Sequence, residues 1–243
     1  VLVGVREDCL RGDPYALLEE VRVDFLKGLG LKPNDQVGAR AALSDLEIEG
    51  ATLEDSPDTR GFQQVKYKKP KTAYQKVLNA GTSTPDSLRL PRHGKEVSAR
   101  NRRMLRTLRR GVSLSPVERA KFGLNKAHLV ILDPDKPAPT ITTLPDDLIH
   151  YSEPRILTVR ECARLQSFPD WFSFRGPYTT GGTQRRHSCP RYTQVGNAVP
   201  PRMAECLGHM LDAYLSTPQP NELPSATRRE TTVETPPPAV VPA

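Results

Sequence analysis

The chain is short of cysteine: Cys9, Cys162, Cys189 and Cys206 lie far apart among 243 residues, and no CxxC pair occurs. That excludes a zinc ribbon or a disulfide framework as the organising device. Packed thiols in a reducing compartment are the expectation. No run approaches the ~18 apolar residues a membrane span needs. The opening residues VLVGVRED do not read as a signal peptide either, and no internal repeat is visible. An initiator Met is also missing. Val1–Val5 reads as a buried strand running out to a polar end, so a fragment, or one half of a larger catalytic unit, is expected. The length suits one ordinary domain, or a small domain plus part of another.

Positive charge, by contrast, is in excess. Lys and Arg number 35 against 28 Asp and Glu, giving a formal charge of +7 and a pI near 9.3. This favours a polyanionic partner, although a soluble protein that is merely basic has the same balance. Two stretches concentrate the charge. KYKKPKTAYQK places Lys66, Lys68, Lys69, Lys71 and Lys76 around Tyr67 and Tyr74. Lysines interleaved with aromatics suit a phosphate backbone and exposed bases; a solvated loop with two half-buried tyrosines is the plainer alternative for this stretch alone. KEVSARNRRMLRTLRRG sets Arg100, Arg102, Arg103, Arg106, Arg109 and Arg110 around a thin seam of Met104, Leu105 and Leu108. Like charges at i,i+4 repel, and an adjacent polyanion would relieve them, which favours nucleic-acid contact here.

Helix signals punctuate the rest. Asp13 and Pro14 open a helix whose face is Leu17, Leu18, Val21, Phe25 and Leu26, with Gly28 as a stop, and a core-facing role is expected. Ser115 with Glu118, and Thr158 with Glu161, are capping boxes. Gly123 and Pro169 close those two helices. Leu129–Leu132 and Thr140–Thr143 are strand-like. From Pro201 onward Met203, Cys206, Leu207, Met210, Leu211, Tyr214 and Leu215 fall on one helical stripe, expected to pack hard against something. Before it, Gly196-Asn197 reads as a turn. Such a turn can bring backbone close to a ligand and offer an amide that both donates and accepts, or it can simply cap the helix. The residues after Ser216 are proline-rich and expected to be disordered.

RILTVRECARLQSFPDWF (Arg155–Phe172) followed by YTQVGNAVPPRMAE (Tyr192–Glu205) resembles the last two signature blocks of DNA cytosine-5 methyltransferases, in the right order. VLVGVRED resembles the strand that precedes the family's variable, target-recognising region. The three matches bracket about 205 residues. The resemblance implies an α/β fold: the C-terminal fragment of a Rossmann-like S-adenosylmethionine-dependent methyltransferase, with a small mixed target-recognition domain. It divides the chain into residues 1–30 (end of the catalytic domain), 31–190 (target-recognition domain, including Arg155–Phe172), 191–216 (the returning cofactor-side turn and helix) and 217–243 (the tail). The family flips a cytosine from the duplex, attacks its carbon 6 with a Cys thiolate and methylates carbon 5.

Carried over, Asn197 and Ala198 would touch the amino-acid end of S-adenosylmethionine. The Arg160–Arg164 block would organise the recognition domain. Lys66, Lys68, Lys69 and Lys71 and the six arginines of 100–110 would lie on double-stranded DNA. Several family features are not in this sequence: the aromatic-x-Gly cofactor loop, the Pro-Cys nucleophile loop and the Glu-Asn-Val block. Cys189 precedes its proline and lies between the last two blocks, so no catalytic residue is assigned, and a missing N-terminal catalytic portion, on the same or a separate chain, is the expected partner. The resemblance implies a bacterial, cytoplasmic, nucleoid-associated protein with no membrane partner. Two alternatives are a non-catalytic DNA-specificity subunit of a split enzyme and a tRNA-modifying relative.

Overall fold

The computed structural model describes residues 12–34, 36–81, 84–126, 128–179 and 187–217. The Val1–Val5 strand, Cys9 and all of the tail but Thr217 lie outside the described residues.

Helix α1 spans Pro14–Gly28. Asp13 Oδ1 accepts the Tyr15 N–H at 2.9 Å and Pro14 fills the first turn, as the sequence predicts. Its expected place against a core is not what the structure shows. No α1 residue is buried; the helix packs along α8, Pro201–Ser216. Of the α8 stripe only Met210 and Tyr214 are buried, while Met203, Leu211 and Leu215 are exposed. The two helices form a ridge with a groove of about 350 Å³ between them, floored by Leu18, Phe25, Leu26, Met203 and Leu207. The periodicity identified amphipathic helices correctly, but a two-helix ridge has too little depth to bury either stripe.

The body is mixed α/β. Strands β1 (Leu53–Asp55) and β2 (Gln63–Val65) form an antiparallel pair with Leu53 opposite Val65, and Arg89 bridges on to Gln64 from the other side. Strands β3 (Val130–Ile131) and β4 (Leu148–Ile149) pair in parallel, Val130 opposite Leu148. Among the described residues the strands come only as these two pairs. The strand expected at Thr140–Thr143 does not form. Pro137 and Pro139 before it and Pro145 after it remove ladder donors.

Short helices complete the body: α2 (Ala39–Leu43), α3 (Ala73–Asn79), α4 (Lys95–Thr107), α5 (Pro116–Lys121), α6 (Val159–Leu165) and α7 (Arg191–Asn197). The capping boxes of Ser115 with Glu118 and Thr158 with Glu161 are both made, and Thr72 with Gln75 adds a third. Gly123 ends α5 at φ +63°, the left-handed conformation a glycine adopts freely. Helix α6 ends before Pro169, at Leu165, through Ser167 at φ +61°. Two hydrophobic clusters result. The larger joins α2, α6 and α7 through Leu43, Leu157, Val159, Ala163, Tyr192 and Val195. The smaller sits under α4 and α5 and holds Met104, Leu114, Phe122, Leu129, Ile131 and Ile149. No helix among the described residues is long and apolar enough to cross a membrane.

Candidate functional site

Helix α6 is the hub. Val159, Arg160, Glu161, Cys162, Ala163 and Arg164 are all buried, charged residues included. Burial of a charge is tolerated only where partners replace water. Each charge here has them. Arg155 sends Nη1 and Nη2 to the two Glu161 oxygens at 2.7 and 2.8 Å, and Nε to Glu153 at 2.6 Å. Arg164 donates to Asp170 from Nε at 2.9 Å and from Nη2 at 2.6 Å, and pairs with Asp45 from Nη1. Arg160 reaches Asp86, the Pro169 carbonyl at 3.2 Å and the Phe172 carbonyl at 2.6 Å. Burial works against the charge on Arg164, but the hydrogen bond and charge of Asp170, with Asp45 behind them, outweigh it and raise its pKa.

The sequence places Val159, Cys162, Ala163 and Gln166 on one side of α6, and all four are buried. It did not reveal that the polar side is buried too. The available signal was the spacing: Arg160 and Arg164 at i,i+4, with Asp170 six residues beyond Arg164.

The two blocks are stapled together. Gln166 Nε2 donates to the Val195 carbonyl at 2.9 Å, Tyr192 OH to the Leu157 carbonyl at 2.6 Å, and the Arg202 N–H to Ser167 Oγ at 3.2 Å. Ser167, a strained non-glycine residue, therefore holds the first turn of α8.

Gly196 and Asn197 are not a turn. They are the last residues of α7, and the chain extends only at Ala198, φ −77° and ψ 148°. The requirement for glycine is real but has another cause. A Cβ on Gly196 would lie 2.4 Å from the Thr142 carbonyl oxygen and 2.7 Å from the Thr143 nitrogen. The close approach is to this chain's own backbone. Asn197 is exposed, and its amide makes no hydrogen bond with the described residues; Ala198 is half-buried against the larger core.

The basic stretches separate. Lys66, Lys68, Lys69, Lys71 and Lys76 are exposed, and Lys71 Nζ donates to the Ser44 carbonyl at 2.6 Å. The tyrosines between them are not stacking platforms. Tyr67 OH donates to Asp45 at 3.0 Å and Tyr74 OH to the Arg164 carbonyl at 2.8 Å, so both point inward to the ionic core. On α4, Met104 and Asn101 are buried while Arg102, Arg103 and Arg106 are exposed; Arg100 and Arg110 are half-buried and Arg109 is exposed. Arg103 lies over the Phe122 ring, 5.0 Å from its centroid. This stretch belongs to the smaller core and the lysines to the larger, and no hydrogen bond or ion pair joins them among the described residues. Cys162 is buried and its thiol pKa is pushed well up by burial; Cys189 is exposed.

His150 adds a titratable group within the same network. It is fully buried, and Nδ1 faces the Ser152 and Glu153 amides at 3.3 Å, which leaves the proton on Nε2, 3.8 Å from Glu161. Burial lowers its pKa to about 4, with Glu161 opposing and Arg155 and Arg110 assisting. Burial also opposes the Glu161 charge, but Arg155 overrides it and brings that pKa down to about 2. For His150 the folded pKa lies below the ordinary 6.5, so as pH falls the unfolded chain takes the proton first. Stability should fall from pH 6.5 towards pH 4, by on the order of 3 kcal/mol. Glu161 should continue the loss from its ordinary 4.5 down towards 2. Urea titrations across this range check it: His150→Gln should flatten the upper part of the slope, and an unchanged slope in that variant would exclude His150 as its source.

A family model described as C-5 cytosine-specific DNA methylase matches residues 39–212. Type II methyltransferase M.AquIB of Picosynechococcus sp. is 42% identical over 86 residues, 35% of this chain and 62% of that one. Type II methyltransferase M.DdeI of Desulfomicrobium norvegicum is 42% identical over 82 residues, 33% of this chain and 19% of that one. A solved E. coli structure, described as a DNA modification methyltransferase encoded within a prophage, aligns at TM-score 0.46 and 23% identity, over 76% of this chain and 49% of that chain. The chain thus spans less than two thirds of the curated relatives it matches. The match over residues 39–212 takes in α2 through most of α8, with the buried α6 block and the α7–α8 block that it fastens, and by it the chain belongs to the C-5 cytosine-specific DNA methylase family.

Proposed function

We propose that this chain is the target-recognition and cofactor-side portion of a DNA (cytosine-5)-methyltransferase. Its substrate is a cytosine in a specific duplex sequence, and its methyl donor is S-adenosylmethionine. The observation that carries this reading is the joint between α6 and the start of α8, made by Gln166, Tyr192 and Ser167, which fixes the end of α7 at Asn197 and the extended Ala198–Pro200 segment in one place.

The residues present fit one end of the cofactor. The Asn197 amide, exposed and unbonded among the described residues, can both donate and accept. Little of the first turn of α8 is open beside it: Pro201 has no N–H, Ser167 accepts the Arg202 N–H and the Pro200 carbonyl accepts the Ala204 N–H. S-adenosylmethionine supplies the methyl group when bound. Asn197 and the Ala198 backbone hold and orient its amino-acid group, and the exposed lysines of 66–71 and arginines of 100–110 take DNA phosphates. The attacking thiolate and the ring-binding Glu come from residues outside this sequence, and the assembled enzyme works at the nucleoid in the cytoplasm.

A second reading, a separate specificity subunit, is favoured by one observation. The 86 matched residues make up 62% of M.AquIB, so that type II methyltransferase is itself shorter than this chain. Expressing the chain in a host, with and without a complementing catalytic portion, and bisulfite-sequencing the host DNA tests both readings. Methylated cytosines should appear only with both parts; none under either condition would sink the assignment.

In that reconstituted enzyme, Asn197→Ala should weaken S-adenosylmethionine binding about ten- to hundredfold, the loss of one hydrogen bond to a charged group. DNA affinity measured without cofactor should stay at the wild-type level. Calorimetric titration checks it: wild-type cofactor affinity with a lowered melting point would leave Asn197 a structural residue.

A further inference from the structure

Five side chains form a ladder of alternating cations and rings. Arg92 lies over the Phe62 ring at 4.6 Å, and Arg89 lies over the same ring at 4.3 Å. Arg89 also lies 3.7 Å from the centroid of Tyr178, and Arg191 covers that ring at 4.3 Å. Of the three guanidinium groups only Arg191 pairs with a carboxylate among the described residues, and that is Asp58. It is fully engaged by Arg191 at 2.6 Å, Tyr178 OH at 2.9 Å, Ser56 at 2.9 Å and Thr59 at 3.1 Å. Arg191 has further acceptors in Ser87 Oγ and the Gly176 carbonyl, and Arg92 donates to the Gly61 carbonyl.

Arg89 has none. Its Nε is buried with no partner, and nothing among the described residues accepts from its terminal nitrogens. Burial lowers its pKa, and Tyr178, Tyr192 and Asp58 offset that only in part. A half-buried guanidinium without an acceptor is costly unless a ligand completes it. Its geometry suits one. Two rings fix the plane of the fork, so little conformational freedom remains to be lost on binding. The backbone is fixed as well, by the bridge to Gln64 and by the Leu90 N–H to the Gln63 carbonyl at 2.8 Å. Strand β2, to which it is bridged, leads directly into Lys66, Lys68 and Lys69, all exposed.

We propose that Arg89, clamped between Phe62 and Tyr178, is a preformed receiving site for a phosphodiester of the DNA backbone, continuous with the Lys66–Lys71 run. The inference rests on the DNA-methyltransferase reading above. An anion rather than a base edge is the better fit because, among the described residues, only Arg191 of the ladder's three cations makes an ion pair.

The test is fluorescence anisotropy of the full chain on two labelled duplexes of unrelated sequence, across a salt series, with melting curves for each variant. Arg89→Gln should reduce the slope of log affinity against log salt by about one, and weaken binding about tenfold at low salt, equally on both duplexes. Arg89→Lys keeps the charge and the aliphatic stem but not the fork. It should retain the slope and lose affinity several-fold, and it keeps the question answerable if the Gln variant fails to fold. Wild-type slope and affinity in a folded Gln variant, or wild-type affinity in the Lys variant, would make Arg89 a packing cation and overturn the proposal alone. A loss confined to one duplex would make it a base reader and equally overturn it. A wild-type chain that binds neither duplex would overturn both this site and the reading it rests on.

Discussion

Gly196→Ala should destabilise the chain by about 3 kcal/mol or more, whereas the same change at Gly208, one helix later, should stabilise it by about 0.5 to 1 kcal/mol. The two positions share helical backbone, so intrinsic propensity alone predicts the same gain at each. Surroundings separate them. At Gly208 an added Cβ meets nothing within 4 Å. At Gly196 it would stand 2.4 Å from the Thr142 carbonyl oxygen and 2.5 Å from the carbonyl carbon, in a segment of backbone that cannot swing aside as a side chain would. The Thr142 hydroxyl, bonded to Asp147 at 2.6 Å, and Asp147, paired with Lys126, hold that segment in place. Relief would have to move α7, whose Val195 and Tyr192 are buried. Urea unfolding of the two alanine variants measures the difference; a Gly196→Ala variant as stable as wild type would mean the contact relaxes freely.

Asp170→Ala should cost about 3 to 5 kcal/mol, the range for removing one partner from a buried ionic network. Asp170 is the shared acceptor of the core: Arg164 reaches it twice, Asn79 donates to it at 3.0 Å, and Arg160 lies 3.9 Å away. Without it, Asp86 still faces Arg160 and Asp45 still faces Arg164, but one lobe of the Arg164 fork is left buried and unpaired. Arg164→Met in the Asp170→Ala background removes the unmet donors but leaves the buried Asp45 with only the Tyr67 hydroxyl, so the double variant should recover little of the loss. Chemical denaturation of the two single variants and the double measures that coupling. A single-variant cost below about 1 kcal/mol would show that water reaches the site and that the network does not hold the core together.

Local chemistry was legible in the sequence wherever it was decided by neighbours. Asp13, Ser115 and Thr158 cap the helices their spacing announces. The family blocks could be read because they are contiguous strings. What could not be read were relations between distant segments. Thr142 and Gly196 meet across more than fifty residues, so the glycine's reason was invisible, and a turn was the natural reading of Gly-Asn before Pro-Pro. Tyr67 and Tyr74 interleave with lysine as a nucleic-acid surface would, yet Asp45 and the Arg164 carbonyl draw their hydroxyls inward. Arg89 lay in no basic run at all. Its significance comes from Phe62 and Tyr178, one on each side of it in sequence and both remote.

Helices α6 and α1 stand at opposite extremes, one with nearly every side chain buried and the other with none. Local opening follows such differences, since the free energy to expose an element tracks what it buries. The amides of α6 can exchange only when the ionic core itself comes apart, close to global unfolding. Helix α1 can lift from α8 without disturbing a single ion pair of that core. The molecule is therefore graded in its own cooperativity, with a rigid centre around the family block and a loosely held margin along the α1–α8 ridge.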